Sequence, residues 1–238
     1  MFYNATTKTK IMCGRISFVA DKDKIKKTLP KAQFEGDLRT SFNIAPTQPA
    51  YVINSNVDNV LQPMFWGLVP SWAKEGKANG ALINARMETL LEKPSFRQSF
   101  ENQRCIVPVD SFYEWQTGAG GRKLPFRIMD TEGGLLCLAG IHSVWKTTLK
   151  TFSIITTEPN AEMSRIHTRM PVLLKTEAER TAWLSNETPL DTLLYMCQKP
   201  PNGLLRMYRV SEKVNSVKYD APDLHQQVPE ELTLFFNF

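Results

Sequence analysis

A cysteine near the start of the chain stands where it could become an unusual nucleophile. Cys13 follows Met12 in the sequence Met-Cys-Gly-Arg. If Met12 is the true first residue and is removed, Cys13 carries an α-amine beside its thiol. The pKa values of these groups are ordinarily about 7.7–8.0 and about 8.5, so both are partly nucleophilic at neutral pH. Such an aminothiol captures an aldehyde as an imine, and its sulfur then closes a five-membered thiazolidine ring. The alternative is a buried structural cysteine in a first strand.

Two further stretches add an amide, a cation and a carboxylate. In Ile-Asn-Ala-Arg, Asn84 can orient or stabilise a polar intermediate, and Arg86 can bind a phosphate through two hydrogen bonds. Glu114 lies between aromatic residues in Phe-Tyr-Glu-Trp. Partial desolvation raises the pKa of a carboxyl group and suits it to acid–base catalysis. The alternatives are a surface turn for the first stretch and a solvent-facing edge-strand glutamate for the second.

An imidazole and an aromatic platform complete the set. His167 can shuttle protons near neutral pH, and Arg169 places a cation two residues further on, in Ile-His-Thr-Arg-Met-Pro. Trp72 ends the stretch Phe-Trp-Gly-Leu-Val-Pro-Ser-Trp, whose rigid aromatic content is typical of a surface on which bases stack. The alternatives are a hydrogen-bonded or exposed structural histidine and a core strand.

The elements that must position these residues are mostly strands joined by short turns. Alternating and β-branched runs predict strands over 13–19, 51–54, 60–69, 105–115, 124–130, 135–145, 151–157, 170–174 and 204–210. Capping residues and apolar spacing predict helices over 21–29, 87–92, 95–102, 160–167, 176–184 and 189–196. Residues 41–49 contain two prolines and are predicted to form a loop. The pattern therefore indicates an α+β fold on a mostly antiparallel, curved sheet.

Composition limits the class of protein. The 238 residues suit one large domain or two small ones, and 42% hydrophobic with 22% charged residues excludes a disordered or fibrous chain. No apolar run approaches the ~20 residues of a membrane span, and the start lacks the apolar core of a secretory signal. The four cysteines form no Cys-x-x-Cys pair, which argues against a zinc knuckle and a disulfide framework. The sequence has no metal-binding cluster and no phosphate-binding glycine motif, so we expect no metal and no cofactor. With 29 basic and 24 acidic residues, the net charge of +5 mildly favours a polyanionic partner.

Six motifs follow one another along the chain: Cys-Gly-Arg, Asn-Ile-Ala-Pro, Phe-Trp-Gly-Leu-Val-Pro-Ser-Trp, Ile-Asn-Ala-Arg, Phe-Tyr-Glu-Trp and Ile-His-Thr-Arg-Met-Pro. In this order they resemble the SRAP family, the SOS response-associated peptidases, whose members process abasic sites. The resemblance spans roughly residues 12–184. It implies a single α+β domain over 13–238, built around a mainly antiparallel, barrel-like sheet with peripheral helices.

The resemblance also implies an activity of lyase or hydrolase type. In the family, an N-terminal cysteine condenses with the ring-opened aldehyde of an abasic site in single-stranded DNA and leaves a thiazolidine crosslink that shields the lesion. Carried onto this chain, Cys13 is the nucleophile and Asn84 positions the amine and the adduct. Glu114 moves protons during imine formation, and His167 helps to open the sugar ring and to reverse the crosslink.

The family's DNA contacts carry over as well. Arg15, Arg86 and Arg169 match arginines that bind phosphates, and Trp72 and Trp115 match aromatics that stack near the lesion. The implied partner is single-stranded DNA containing abasic sites, with replication or repair proteins as further candidates and no membrane. We expect a cytoplasmic monomer that associates with the bacterial nucleoid when acting on DNA.

The family begins at Met-Cys-Gly-Arg, whereas residues 1–12 precede Cys13 here. This extension has three explanations. In the first, the start of translation is assigned too early or the residues are a tag, so that the natural chain begins at Met12. In the second, the extension is a pro-segment that the protein removes itself. In the third, the chain is inactive in crosslinking. Two other functions stay open. One is a thiol peptidase that uses Cys13 with His167 or Glu114, and the other is a non-covalent binder of single-stranded DNA.

Overall fold

The computed structural model describes residues 13–34, 36–55, 59–77 and 82–229. The predicted extension, residues 1–12, lies outside these ranges. The strands within them are β1 Ile16–Phe18, β2 Gln33–Phe34, β3 Ser41–Ile44, β4 Pro49–Asn54, β5 Val60–Trp66, β6 Asn84–Arg86, β7 Arg104–Val109, β8 Ser111–Thr117, β9 Lys123–Asp130, β10 Leu136–Trp145, β11 Leu149–Thr157, β12 Met170–Pro171 and β13 Leu205–Arg209. The α-helices there are α1 Lys22–Thr28, α2 Pro94–Asn102, α3 Glu177–Leu184 and α4 Leu190–Met196. In these ranges no helix combines the length and the apolar character that crossing a membrane requires.

Five strands close into a barrel. Antiparallel pairing joins β11 to β10, β10 to β7, β7 to β4 and β4 to β5. A parallel pairing of β5 with β11, in which Phe65 lies opposite Thr151, completes the ring. Closure satisfies the backbone groups that an open sheet would leave at its two edges. The barrel and the surrounding helices confirm the predicted α+β fold.

A second sheet lies beside the barrel and has the order β13-β9-β8-β1-β3. All of its pairings are antiparallel. The register of β1 against β8 places Ile16 opposite Phe112 and Ser17 opposite Ser111. Because antiparallel partners run in opposite directions, this register brings the residues just before β1 next to those just after Phe112. Cys13 and Glu114 are therefore neighbours for a reason that the strand pairing sets.

The barrel interior is apolar and closely packed. Trp66 and Phe152 are fully buried and stack with their ring centroids 6.1 Å apart. Trp183 of α3 is also fully buried, and its indole N–H donates to the carbonyl of Cys105 at 3.0 Å. The capping box predicted at Thr176 is present and begins α3. Burial of such large aromatic side chains contributes much of the favourable free energy of folding.

A buried arginine fastens two helices to the barrel. The guanidinium of Arg104 is fully buried and donates to the carbonyls of Phe100 and Glu101 at the end of α2. It also donates to the carbonyls of Trp183 and Ser185 at the end of α3. The last carbonyls of a helix lack partners within the helix and carry partial negative charge. One cation therefore satisfies two helix ends.

Two predicted boundaries are wrong. Residues 41–49 were expected to form a loop, but Ser41–Ile44 is a strand and Pro49 begins another. The predicted single strand 105–115 is two strands in different sheets, divided at Asp110. The buried carboxylate of Asp110 accepts hydrogen bonds from the backbone N–H groups of residues 19 and 20 and from the ammonium of residue 24. These bonds turn the chain out of the barrel and into the second sheet.

Smaller elements are shorter than predicted. The helix expected over 87–92 is a single 3-10 turn, Met87–Thr89, and the helix expected over 160–167 is another, Met163–Arg165. The strand expected over 170–174 is limited to Met170–Pro171. The remaining predicted helices and strands are present, with ends displaced by a few residues.

Candidate active site

The centre of the candidate site is a contact between Cys13 and Glu114. Both residues are buried, and the backbone N–H of Cys13 donates to Oε1 of Glu114 at 2.5 Å. Cys13 has a φ of 40°, in the left-handed region that residues other than glycine rarely adopt. Strained backbone of this kind persists only where the surrounding contacts hold it in place. The geometry therefore places a carboxylate directly on the cysteine nitrogen.

Burial controls the charge of the thiol. Removal from water raises the pKa of Cys13 well above the ordinary value of a thiol, and the negative charge of Glu114 adds to this increase. The sulfur is consequently protonated at neutral pH. A thiol in this state needs a neighbouring base before it can act as a nucleophile.

Asn84 and His167 lie at the edge of the barrel. Asn84 begins β6, which pairs with β11 in parallel and sets Asn84 opposite Ile154. His167 follows the 3-10 turn 163–165 and is 6% exposed. Its Nδ1 accepts from the backbone N–H of Arg169 at 3.2 Å. Because Nδ1 is the acceptor, a neutral His167 ring carries its proton on Nε2, where it can be donated.

A glutamine links the two halves of the site. Gln116 follows Glu114 by two residues on β8, so both side chains point to the same face of the strand. The amide of Gln116 donates to the carbonyl of Arg165 at 2.9 Å, two residues before His167. The turn that carries the imidazole is thus tied to the strand that carries the carboxylate.

The three arginines predicted to bind phosphate differ in their surroundings. Arg86 is exposed at the end of β6. Arg15 is 9% exposed and donates to Oδ1 of Asn43 at 2.8 Å and to the carbonyl of Val214 at 2.6 Å. Arg169 forms a bidentate ion pair with Glu88. Their roles toward DNA stay predictions.

The two tryptophans also differ. Trp72 is 63% exposed, as a stacking surface requires. Trp115 is partly buried, and its indole N–H donates to Oδ1 of Asn215 at 2.8 Å. The guanidinium of Arg15 lies 6.0 Å from the centroid of the Trp115 ring, within the range of a cation–π contact.

Sequence reasoning missed Asn43, Glu88 and Asn215. The amide of Asn43 is 2% exposed and donates to the carbonyls of Ser216 at 3.0 Å and Tyr219 at 2.7 Å. It fixes the C-terminal segment beside Arg15. Asn43 opens the Asn-Ile-Ala-Pro motif, so a signal was present but gave no role. Asn215 lies beyond residue 184, where the recognised motifs end.

The arrangement offers nucleophilic and acid–base groups beside cations. Within residues 13–34, 36–55, 59–77 and 82–229, no group of three or more His, Cys, Asp or Glu side chains is placed to hold a metal ion. All four cysteines are buried thiols outside any disulfide. The site can therefore combine a sulfur nucleophile, proton transfer and anion binding with the chain's own residues.

Comparison with known proteins gives consistent matches. The sequence profile of the family described as SOS response associated peptidase (SRAP) matches residues 12–217. The abasic site processing protein YoqW of Bacillus subtilis (strain 168) is 42% identical over 221 residues, covering 90% of this chain and 98% of the relative. The abasic site processing protein HMCES of Gallus gallus is 32% identical over 235 residues, covering 83% of this chain and 68% of the relative. A crystal structure of a protein from Bacteroides thetaiotaomicron superposes with a TM-score of 0.80 at 26% identity, covering 91% of this chain and all of that one.

Proposed function

The chain belongs to the SRAP family, and from that membership we propose that it processes abasic sites in single-stranded DNA through a covalent bond to Cys13. The observation that carries the proposal is the 2.5 Å contact between the nitrogen of Cys13 and the buried carboxylate of Glu114. In a chain that begins at Cys13, this nitrogen is the α-amine. A carboxylate at hydrogen-bond distance is placed to move the protons that its reaction with an aldehyde requires.

The reaction is a condensation. The amine of Cys13 attacks the aldehyde carbon of the ring-opened sugar, and loss of one water from the adduct leaves an imine. The thiol then adds across the C=N bond: sulfur bonds to carbon, the thiol proton goes to nitrogen, and a thiazolidine results. No oxidant or reductant is needed. The second step is intramolecular and gains from proximity.

Each neighbouring residue has a proposed role in that sequence. Glu114 accepts a proton from the ammonium form of Cys13 and returns it to the departing water. His167 donates from Nε2 to the sugar oxygen during ring opening, because its Nδ1 is occupied by the Arg169 N–H. Asn84 holds the amine and the adduct in place. These roles follow the family resemblance and are consistent with the positions of the residues.

Binding of the DNA strand would not depend on base identity. Exposed Arg86 and Trp72 offer a phosphate ligand and a stacking surface. A missing base has no edge to read, so backbone and stacking contacts are the suitable ones. A monomeric state, a cytoplasmic location and repair or replication partners stay predictions.

A second activity, release of residues 1–12, is favoured by the backbone at Cys13. The strained φ of 40° lies next to the Met12–Cys13 bond, and Glu114 contacts the nitrogen that would leave on hydrolysis. Hydrolysis would add water to the Met12 carbonyl and protonate that nitrogen. The product is the free aminothiol that the first activity requires.

The test uses protein that begins at Cys13 and a single-stranded oligonucleotide with one abasic site. We expect a shifted band that survives denaturation and is lost in Cys13→Ala. The control is Cys197→Ala, which replaces a buried cysteine at the C-terminal end of α4 and should retain the band. Protein that keeps residues 1–12 should give no band, and mass spectrometry identifies its first residue. Absence of the band from protein that begins at Cys13 would refute the proposal.

A further inference from the structure

An ion pair covers one of the arginines expected to bind phosphate. Both terminal nitrogens of Arg169 donate to the carboxylate of Glu88, Nη2 to Oε2 at 2.8 Å. A second hydrogen of Nη2 goes to the carbonyl of Thr156 at 2.7 Å. The guanidinium is therefore held in one orientation, with its two-nitrogen edge filled by a carboxylate.

The carboxylate lies on the solvent side of the pair. The side chain of Glu88 is 42% exposed, whereas that of Arg169 is 16% exposed. An anion that approaches Arg169 from solution meets Glu88 first. Carboxylates and phosphates bind this edge of an arginine with the same bidentate geometry, so only one of them can occupy it at a time.

Glu88 is charged under the conditions in which DNA binds. Burial raises the pKa of Glu88, but hydrogen bonds from Arg169 and the positive charges of Arg169 and Arg86 outweigh it, so the net pKa lies below its ordinary 4.5. Thr156 pairs with Arg86 in the parallel β6–β11 register, which places both arginines at one end of β11. One negative charge thus partly neutralises two neighbouring cations.

We propose that Glu88 competes with the DNA backbone: its carboxylate occupies the edge of Arg169 that a backbone phosphate would take and so weakens non-covalent binding of single-stranded DNA. This inference rests on the proposed function. A strand that binds while Glu88 holds Arg169 makes one phosphate contact fewer, whether or not it carries a lesion. Only a strand with an abasic site then gains the covalent bond to Cys13, so the weaker non-covalent binding releases intact strands while damaged strands stay attached.

The test compares Glu88→Gln with Glu92→Gln. Each substitution removes one negative charge from the same segment, but Glu92 is exposed and forms no ion pair with another described residue. Affinity is measured by fluorescence anisotropy with an intact single-stranded oligonucleotide over a range of salt concentrations. Thermal unfolding checks that each variant is folded.

We expect Glu88→Gln to bind intact single strands about three- to fivefold more tightly than the unchanged protein at low salt. The slope of log affinity against log salt should steepen by about 0.7, because one more arginine exchanges counterions for phosphate. Glu92→Gln should change affinity by less than about twofold. Glu88→Asp keeps the charge on a shorter side chain and should give a smaller gain than Glu88→Gln.

Three outcomes overturn the inference: unchanged or weaker binding by Glu88→Gln, an equal gain in Glu92→Gln, or an unaltered salt slope. These results are separable from failure of the proposed function. If the unchanged protein crosslinks an abasic strand but Glu88→Gln gains no affinity, only the inference is wrong. If protein that begins at Cys13 neither binds single strands nor crosslinks them, both are wrong.

Discussion

The backbone nitrogen of Cys13 donates a hydrogen bond to the carboxylate of Glu114, and both residues are withdrawn from solvent. Strand pairing sets this contact, because the β1–β8 register brings the start of the first strand beside residue 114. The contact does not depend on a flexible loop. The proposed nucleophile and its proposed proton acceptor are thus positioned by strand pairing within one sheet.

Replacement of Glu114 by glutamine should slow crosslinking by about 100-fold, since general acid–base groups typically contribute factors of that order. The amide keeps the shape of the side chain but cannot accept the ammonium proton. Single-turnover crosslinking to an abasic oligonucleotide measures the rate, and anisotropy with an intact strand shows that binding is preserved. A rate within threefold of the unchanged protein would remove Glu114 from the proton-transfer role.

Substitution of Asn43 by alanine should release the C-terminal segment from the site. The Asn43 amide bonds to the carbonyls of Ser216 and Tyr219 would be lost, and so would the hydrogen bond that Oδ1 of Asn43 accepts from the buried Arg15. The free energy of unfolding should fall by about 1–3 kcal/mol. Limited proteolysis should cleave within 211–219 earlier, and affinity for single strands should fall as the Trp115 contact with Asn215 loosens. Asn102→Ala, at an exposed position on α2, is the control. An unchanged cleavage pattern would contradict this role.

Arg104 should be far more important for stability than other arginines. Arg104→Met leaves the carbonyls at the ends of α2 and α3 without their shared donor, and we expect the free energy of unfolding to fall by about 3 kcal/mol. Urea denaturation measures the change. Arg97→Met removes an exposed arginine paired with Glu101 and should alter stability by less than about 1 kcal/mol. Equal effects of the two substitutions would show that the buried bonds contribute little.

Stability should decline with acidification through His142. This imidazole is 1% exposed, and neither ring nitrogen has a partner among the described residues. Burial, and to a smaller extent the charge of Lys150, lowers its pKa from 6.5 to about 4. At pH values between about 4 and 6.5, His142 therefore binds a proton in the unfolded chain but not in the folded chain. The stabilisation is complete above pH 6.5 and decreases as the pH falls toward 4, by at most about 3 kcal/mol.

His142→Phe tests this dependence, because a phenyl ring fills similar space and does not titrate. Urea midpoints at several pH values from 7.5 to 4.5 should vary less in the variant than in the unchanged protein. Some pH dependence of stability should persist in the variant, because the pKa of His225 is also lowered to about 4, mainly by burial. An identical pH profile for both proteins would show that His142 is not the group responsible.

Local patterns were sufficient to predict most strands and the fold class. The runs at β10 and β11 are apolar and bounded by turn residues, and their extents differ from the predictions by only one or two residues. Asp110 shows where such reasoning fails. The β-type pattern of residues continues through Asp110, so the sequence suggests one strand. In the fold, the Asp110 carboxylate accepts hydrogen bonds from the backbone of residues 19 and 20, and the chain leaves the barrel at this point. Contacts between residues far apart in sequence are invisible to periodicity.

The candidate site shows the same division. The residue types at Cys13, Glu114 and His167 led to predicted roles, but their separation along the chain concealed which of them touch. Glu88 was missed because a glutamate beside an arginine is ordinary in a sequence. Only the folded chain shows that Arg169, a distant residue, is its partner.

The parallel pairing of β5 with β11 has a consequence for synthesis. Phe65 cannot pair with Thr151 until the ribosome has released the chain beyond β11, so the ring stays open while roughly the first two thirds of the protein emerges. During that interval the end of β5 that later pairs with β11 presents an unpaired backbone edge. A nascent chain stalled before residue 149 should therefore recruit chaperones or aggregate, and resumption of translation should rescue it.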